Sequence, residues 1–440
     1  MWNMRLFQRP SERGERGMDL VIRNARLRGQ EGLKDIGIKG ERIVAVKDRI
    51  EENGEVEIDA AGNLVTPPFV DPHIHLDAVL TVGDPQYNMT GTLLEGIEIW
   101  SRRKAKLTFD DIKKRAIEAI KWEVAQGTTK IRTHVDVCDP SLVALEAMVE
   151  VKKEVQDIAD LQIVAFPQEG IVSYPNGVEL MRKALEKGAD IVGGIPHYEW
   201  TREDGIKSLD IVFELAKEFD RDIDVHIDET DDDHSRFTEY LAAKTLRENY
   251  QGRVTASHTT AMHSYNNAYA FKLIGLLKRA EVNVITNPLD NIALQGRFDT
   301  YPKRRGLTRV KELLEAGVNV GIGHDSILDP WYPLGRGNML QAAFMCLNVA
   351  HMTGYNEMLK IFDAITVNSA RIFRLEDYGI EEGKRADLVV LNAPSEIEAI
   401  RLMAEALYVV KNGKIVAQTQ PASATLKGEK ITFRVPGIYD

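Results

Sequence analysis

Two histidines separated by one residue, His73 and His75, follow an apolar run in Phe69-Val-Asp-Pro-His-Ile-His-Leu-Asp77. In an extended chain alternate side chains share a face, so this pair can grip one metal ion from a strand end. Neutral imidazoles suit zinc or iron(II), and two of them leave coordination positions for other strands and for water. His-x-His alone is a weak signal, so the case depends on further ligands. They are present: His226-x-x-Glu229, His258 and His324-Asp325 each close an apolar run of their own. His73, His75, His226 and Asp325 make a shell of three imidazoles and one carboxylate, with room for a water whose pKa the metal would lower toward about 7. Asp325 could accept that water's proton. Glu229 could carry a proton to a ring nitrogen of a substrate. His258 could hydrogen-bond the attacking oxygen or the oxygen that develops at the reacting carbon.

Other candidates read differently. His134 lies before the end of its run and reads as a satisfied core histidine. His197 reads equally as a residue of the pocket mouth or as a structural one. His324 faces away from Asp325 by strand alternation, and His234, His263 and His351 fall on loops or helices. Asp231-Asp232-Asp233 reads as a solvated loop or helix start, not a second metal site.

Such a shell needs strand tips that converge. Eight apolar runs alternate with helical segments: Phe69 to His75, Lys130 to Val135, Leu161 to Phe166, Asp190 to Ile195, Asp222 to Ile227, Val254 to His258, Asn283 to Asn287 and Asn319 to His324. Amphipathic stretches such as Asp110 to Ala125 and Asp210 to Phe219 lie between them. That rhythm predicts βαβ units and an α/β fold, a (β/α)8 TIM barrel, with catalytic groups at the carboxyl ends of the strands. The third strand end adds Gln168 and Glu169 to the polar set. The competing arrangement, an open doubly wound sheet, is weakened because no Gly-x-Gly-x-x-Gly follows the first strand.

Both ends of the chain have a different texture, with short alternating runs and turns at Lys39-Gly40 and Asn412-Gly413. Neither end is long enough to bury a core alone. The expected organisation is therefore a small β-sandwich-like domain from residues 18–66 plus 380–440, around a barrel of residues 67–379. Met1 to Gly17 mixes Arg, Glu, Ser and Pro without an apolar stretch and reads as a disordered leader or tag, not a signal peptide.

Composition bounds the function classes. The 440 residues are 44% hydrophobic and 28% charged, ordinary for a globular protein. A formal net charge of −11 argues against non-specific nucleic-acid binding. No run of roughly 18 apolar residues suggests a membrane span. Two cysteines, Cys138 and Cys346, far apart in sequence, argue against a disulfide framework and point to a reducing cytoplasm.

The constellation resembles the amidohydrolase superfamily in its mononuclear deaminase branch, and within it the bacterial cytosine deaminases. The resemblance runs from about Met18 to about Pro421. It is carried by Pro72-His-Ile-His-Leu-Asp77, Val164-Ala-Phe-Pro-Gln-Glu-Gly170, Val225-His-Ile-Asp-Glu229, Thr255-Ala-Ser-His-Thr-Thr-Ala-Met-His-Ser-Tyr265, Gln295-Gly-Arg-Phe-Asp-Thr-Tyr-Pro-Lys-Arg-Arg305 and Asp329-Pro-Trp-Tyr-Pro-Leu-Gly335. Binuclear hydrolases on this scaffold bridge two metals with a carboxylated lysine at the fourth strand end. Here that end reads Gly193-Gly-Ile-Pro-His-Tyr-Glu199, without a lysine, so one ion is expected. The resemblance implies hydrolysis of cytosine to uracil and ammonia with one Fe2+ or Zn2+, a nucleobase as the small-molecule partner, and a homo-oligomer, with a hexamer the expected form.

Carried onto matching positions, His73, His75, His226 and Asp325 would hold the metal, and Glu229 and His258 would serve proton transfer and transition-state stabilisation. Gln168 would face the NH–C=O edge of a pyrimidine, Trp331 would wall the flat ring, and Leu93 and Phe166 would supply an apolar lining. One position departs from the pattern. The family usually has Gly-His-Asp-Asp, whereas this chain has Gly323-His-Asp-Ser326. Serine is smaller and uncharged, so the pocket is expected to gain space, to lose an acceptor near the amino edge of the base, and to admit 5-methylcytosine. Two alternatives stay open: a deaminase of another amino-heterocycle such as isoguanine or creatinine, and a non-catalytic barrel scaffold. The intact ligand set with Glu229 and His258 speaks against the scaffold.

Overall fold

The structure, a computed structural model, describes residues 17–435 and 437–439, so the leader assigned to residues 1–17 lies outside the described residues except for Gly17. Strands β1 (Met18–Ala25), β2 (Lys34–Lys39), β3 (Arg42–Lys47) and β4 (Gly54–Asp59) form one sheet in the order β3-β2-β1-β4. After them, β5 (Val65–Thr66) leads into eight parallel strands: β6 (Phe69–Ile74), β7 (Thr128–Asp136), β8 (Asp160–Phe166), β9 (Ile191–Val192), β10 (Asp222–Ile227), β11 (Val254–His258), β12 (Asn283–Thr286) and β13 (Val320–Ile322). The chain ends with β14 (Leu388–Leu391), β15 (Ala406–Lys411) and β16 (Lys414–Gln418), then the hairpin β17 (Ala424–Leu426) and β18 (Glu429–Ile431).

The second small sheet has the order β16-β15-β14-β5, so a segment from the N-terminal part completes a sheet made by the C-terminal part. Ile22, Ile36, Ile38 and Ile58 of the first sheet share one apolar cluster with Leu388, Val390 and Val410 of the second. The two ends of the chain thus contribute to one core. Asn412 and Gly413, both left-handed at φ 50° and 75°, give the tight hairpin between β15 and β16.

The eight parallel strands are hydrogen-bonded in sequence order from β6 to β13, with helices over their outer face. Last and first strands meet at the mouth through a single bridge, Ile74 to Asp325. The His75 N–H donates to the Asp325 carbonyl at 3.0 Å, and the Asp325 N–H donates to the His73 carbonyl at 2.8 Å. The barrel therefore closes through the backbone of residues expected to hold the metal.

Two strands are shorter than the apolar runs predict by more than one residue. β9 stops at Val192 because Gly193 follows at close quarters: a Cβ there would lie 2.4 Å from the Ala165 carbonyl oxygen. β13 stops before Gly323, where a Cβ would lie 2.4 Å from Asn287 Oδ1 and 2.7 Å from the His73 Cβ. In both places the chain needs glycine to pass, although the N–H of Gly193 still donates to the Ala165 carbonyl at 2.9 Å and that of Gly323 to the Thr286 carbonyl at 3.0 Å. The helix Phe109–Ala125 matches the predicted segment, and its first turn is capped by Thr108 accepting from the Asp111 N–H. The helix Arg202–Phe219 begins two turns earlier than its amphipathic stretch suggests, with Thr201 as its cap. Among the described residues no helix is long and apolar enough to cross a membrane.

Candidate active site

The expected ligands come together at the carboxyl end of the barrel. β6 delivers His73 and His75, β10 delivers His226, and Asp325 follows β13. His75 Nε2 and His226 Nε2 stand 3.1 Å apart, and Asp325 Oδ1 lies 3.4 Å from both His73 Nε2 and His75 Nε2. Metal–nitrogen bonds of roughly 2.0–2.1 Å put neighbouring donor atoms of one ion about 3 to 3.4 Å apart, which matches these spacings. Two side chains reach the site through strained backbone: His258 and Asp325 sit at φ 74° and 71°, a left-handed region that non-glycine residues occupy only when surroundings hold them there.

The donor set itself calls for a cation. His73 Nε2 and Asp325 Oδ2 are buried with no hydrogen-bond partner among the described residues. Burial first, and then the neighbouring imidazoles, hold His73 and His226 well below the usual imidazole value. Burial brings His75 down to about 4. These rings are therefore neutral and free to coordinate. Glu229, Asp290 and Asp325 line the cavity together, and no lysine or arginine does so among the described residues. Such crowded carboxyls have either to stay protonated or to face a positive ion. Burial and then Asp290 push Glu229 well above the carboxylate range, and burial, Asp290 and Glu229 do the same to Asp325.

Behind the ligands lies a relay of polar groups. Ser257 Oγ stands 3.1 Å from His73 Nδ1 and donates to Asp224 Oδ1 at 2.7 Å; Arg132 Nη1 donates to Asp224 Oδ2 at 2.8 Å. Such outer partners orient a ligand imidazole and leave its other nitrogen free for the ion. On His258, Asn291 Nδ2 lies 2.9 Å from Nδ1, and Asn287 Nδ2 lies 3.4 Å from both ring nitrogens. Glu229 Oε1 and Asp325 Oδ2 lie 3.5 and 3.9 Å from Nδ1 of the same ring.

The cavity beside these groups is lined by Gln168, Leu93, Trp331 and Ser326, as expected, and by Asp290 and Leu294, which the sequence reading did not single out. Trp331 packs so closely on the helix Leu93–Lys104 that a Cβ at Gly96 would lie 2.4 Å from its ring. A glycine in a helix interior costs about 1 kcal/mol; here it lets the indole lie against the helix. Glu169 does not enter the cavity's lining. It pairs with Lys104, whose Nζ also contacts Asp136 at 2.8 Å, tying this helix to the loop that carries Gln168.

Three expectations need correction. Phe166, placed in the pocket lining, is fully buried and instead stacks on the His226 ring at 4.0 Å and 18°, so it backs a ligand. His134 is in the core but is not satisfied: neither ring nitrogen has a partner among the described residues, because it sits inside the barrel against His73 at 3.9 Å. Most consequential is Ser326, expected to leave the amino edge without an acceptor. Its hydroxyl donates to Asp290 Oδ2 at 3.1 Å, and that carboxyl lines the same cavity. A usable signal existed: Asp290 stands three residues past Asn287, the end of its predicted run, as Glu229 stands three past His226. His197 lies outside the cavity's lining; His324 accepts from the Gly337 N–H at 3.0 Å and faces away as expected.

Comparison with known proteins places these features in context. A model of the amidohydrolase family matches residues 56–417. A crystal structure of 5-methylcytosine deaminase from Klebsiella pneumoniae, liganded with 5-fluorocytosine, has a TM-score of 0.90 and 49% identity, covering 92% of this chain and 99% of that one. N-isopropylammelide isopropyl amidohydrolase from a Pseudomonas species is 37% identical over 413 residues, covering 91% of this chain and 98% of the relative. Pterin deaminase from Rhizobium rhizogenes is 28% identical, covering 82% and 83%.

Proposed function

The chain belongs to the amidohydrolase family, and from that premise we propose that it is a hydrolytic deaminase of cytosine-type bases, converting the amino-bearing ring and water to the oxo ring and ammonia, with 5-methylcytosine among its substrates. The observation that carries this reading is the likeness, over nearly the whole chain, to a deaminase liganded with a cytosine analogue. His73, His75, His226 and Asp325 would hold one divalent ion, Fe2+ or Zn2+. When bound, that ion supplies the Lewis acidity that makes water a nucleophile at neutral pH.

The remaining steps fall to this chain's own groups. Gln168 presents an acceptor and donors to the NH–C=O edge of the ring. Trp331, Leu93 and Leu294 enclose its faces and exclude water. Glu229, held protonated by burial, gives a proton to the ring nitrogen beside the reacting carbon. His258 donates a hydrogen bond to the oxygen that forms there. Asp325 takes a proton from the attacking water and passes it to the amino nitrogen, which leaves as ammonia; the second proton of that water, lost as the C–N bond breaks and C=O forms, returns to Glu229 and restores its protonated state. Ser326 leaves room for a substituent at ring carbon 5. The same reading includes a homo-oligomer, expected as a hexamer, working in the cytoplasm, with residues 18–66 plus 380–440 as one unit beside the barrel of 67–379.

The test is ammonia release by protein stripped with a chelator and reloaded separately with Fe2+ and Zn2+, on cytosine, 5-methylcytosine, isoguanine and creatinine. Release from the two pyrimidines, abolished by stripping and restored by reloading, is expected. No release from either pyrimidine with any metal, or a clear preference for isoguanine or creatinine, would overturn the reading.

A further inference from the structure

We infer that Asp290 and Ser326 together receive the amino group of the substrate and carry it out as ammonia, so that the acceptor expected on the strand-end residue 326 is supplied instead by the segment after β12. The inference rests on the reading of this cavity as a deaminase site and assigns a role within it. Asp290 is 3% exposed, yet it contributes to the cavity surface beside Ser326 and Asp325. Oδ2 is occupied by the Ser326 hydroxyl at 3.1 Å, the Asp325 carboxyl packs against the same group, and Oδ1 is buried with no hydrogen-bond partner among the described residues. A buried carboxyl oxygen without a donor is costly, and it calls for a donor that arrives with a ligand.

The chemistry of the pair matches a primary amino group. Because the Ser326 hydrogen points to Asp290, the serine oxygen offers lone pairs, not a proton, to the cavity. Asp290 Oδ1 and Ser326 Oγ are then two neighbouring acceptors, and an aromatic amino group has two N–H donors. Residue 326 can stay small, which leaves space beside ring carbon 5, while the negative charge that attracts the amino group comes from across the cavity. An arrangement with the carboxylate at 326 would put the charge where a 5-methyl group must sit. The pair thus separates two demands that one aspartate would set against each other.

The experiment compares wild type, Asp290→Asn and the double variant Asp290→Asn with Ser326→Asp, all metal-loaded. Three readouts are needed: kcat/KM for cytosine and for 5-methylcytosine, the Kd of pyrimidin-2-one, which has the ring but no amino group, and metal content. Asp290→Asn replaces an acceptor with a donor, and kcat/KM should fall about 10- to 100-fold on both bases, the range for a hydrogen bond to a charged group. Metal content and the pyrimidin-2-one Kd should stay within about threefold, a change too small to signal a lost hydrogen bond. The double variant should regain cytosine turnover while 5-methylcytosine stays poor. The inference is overturned if Asp290→Asn keeps wild-type kcat/KM, if pyrimidin-2-one binding or metal falls in parallel with turnover, or if the double variant recovers neither base or both equally. Wild type that releases no ammonia from either base would overturn the deaminase reading itself, and that result is distinguishable because it appears before any substitution.

Discussion

The two ends of the barrel treat buried charge in opposite ways. At the amino end, Lys130 Nζ bonds both Asp160 and Asp387, and Lys411, fully buried, contacts Asp160 at 2.8 Å. Further in, Arg132 donates to Asp224, to Gln162 and to the Ile372 carbonyl. Each of these buried cations has its partners. At the carboxyl end no lysine or arginine lines the cavity among the described residues, three carboxyls crowd one space, and several polar atoms have no partner. A buried ion pair adds little net stability, but removing one partner strands a buried charge and is expensive. Unpaired groups instead store the capacity to bind. The amino end is therefore intolerant of losing a single charge, and the carboxyl end is left reactive.

Substitutions at the two ends should part along that line. The largest effect on turnover is expected from Glu229→Gln, which removes the transferable proton but keeps the shape. Ammonia release should drop about 10²- to 10⁴-fold, with metal content unchanged and the melting temperature equal or higher, because a carboxyl that burial keeps uncomfortable is gone. Turnover within tenfold of wild type would remove Glu229 from the mechanism.

Lys130→Met should do the reverse. It leaves Asp387 buried and loosens Asp160, for an expected loss of about 3–5 kcal/mol in unfolding free energy, read from urea denaturation, while kcat per folded molecule holds. A loss confined to activity would contradict the division between the ends.

The smallest effect concerns acid. Burial alone would raise Asp160, but Lys130 and Lys411 outweigh it and hold the folded value below the ordinary one. A carboxyl lowered in this way contributes stability above its unfolded value, about 3.9, and that stability is lost as pH falls through the folded value. Asp160→Asn should therefore flatten the acid limb of the stability curve below about pH 4 and leave the neutral region with a small constant loss. Chemical denaturation at a series of pH values measures it. An unchanged slope would show that the Asp160 ion pairs form in the unfolded chain as well.

Much of this was legible without coordinates, because strand periodicity and the histidines that end each run are local. Each of the eight barrel strands overlaps a predicted run, though β7 and β8 extend beyond theirs, and His73, His75, His226, Glu229, His258, Gln168 and Asp325 are brought to one mouth. What was not legible depends on neighbours far along the chain. Phe166 was placed in the lining because a strand-end aromatic looks like a wall; only the approach of β10 shows that it faces His226. The Ser257–Asp224–Arg132 relay joins residues from three strands with no shared motif. Asp290 was hidden for a similar reason: nothing near it in sequence announces Ser326.

What the sequence determined by itself is therefore the kind of site: neutral imidazoles and carboxylates at strand ends, spaced so that a parallel barrel must gather them. Side-chain chemistry and alternation along a strand are properties of a few consecutive residues, and they survive without the fold. Only the tertiary structure decided which groups remain unpartnered, how the seam at His73, His75 and Asp325 closes, and that Asp290 faces Ser326 across the cavity. Those are statements about distances between segments 36 (Asp290 to Ser326) to 252 (His73 to Asp325) residues apart, and solvent exclusion and pairing arise only when such segments pack.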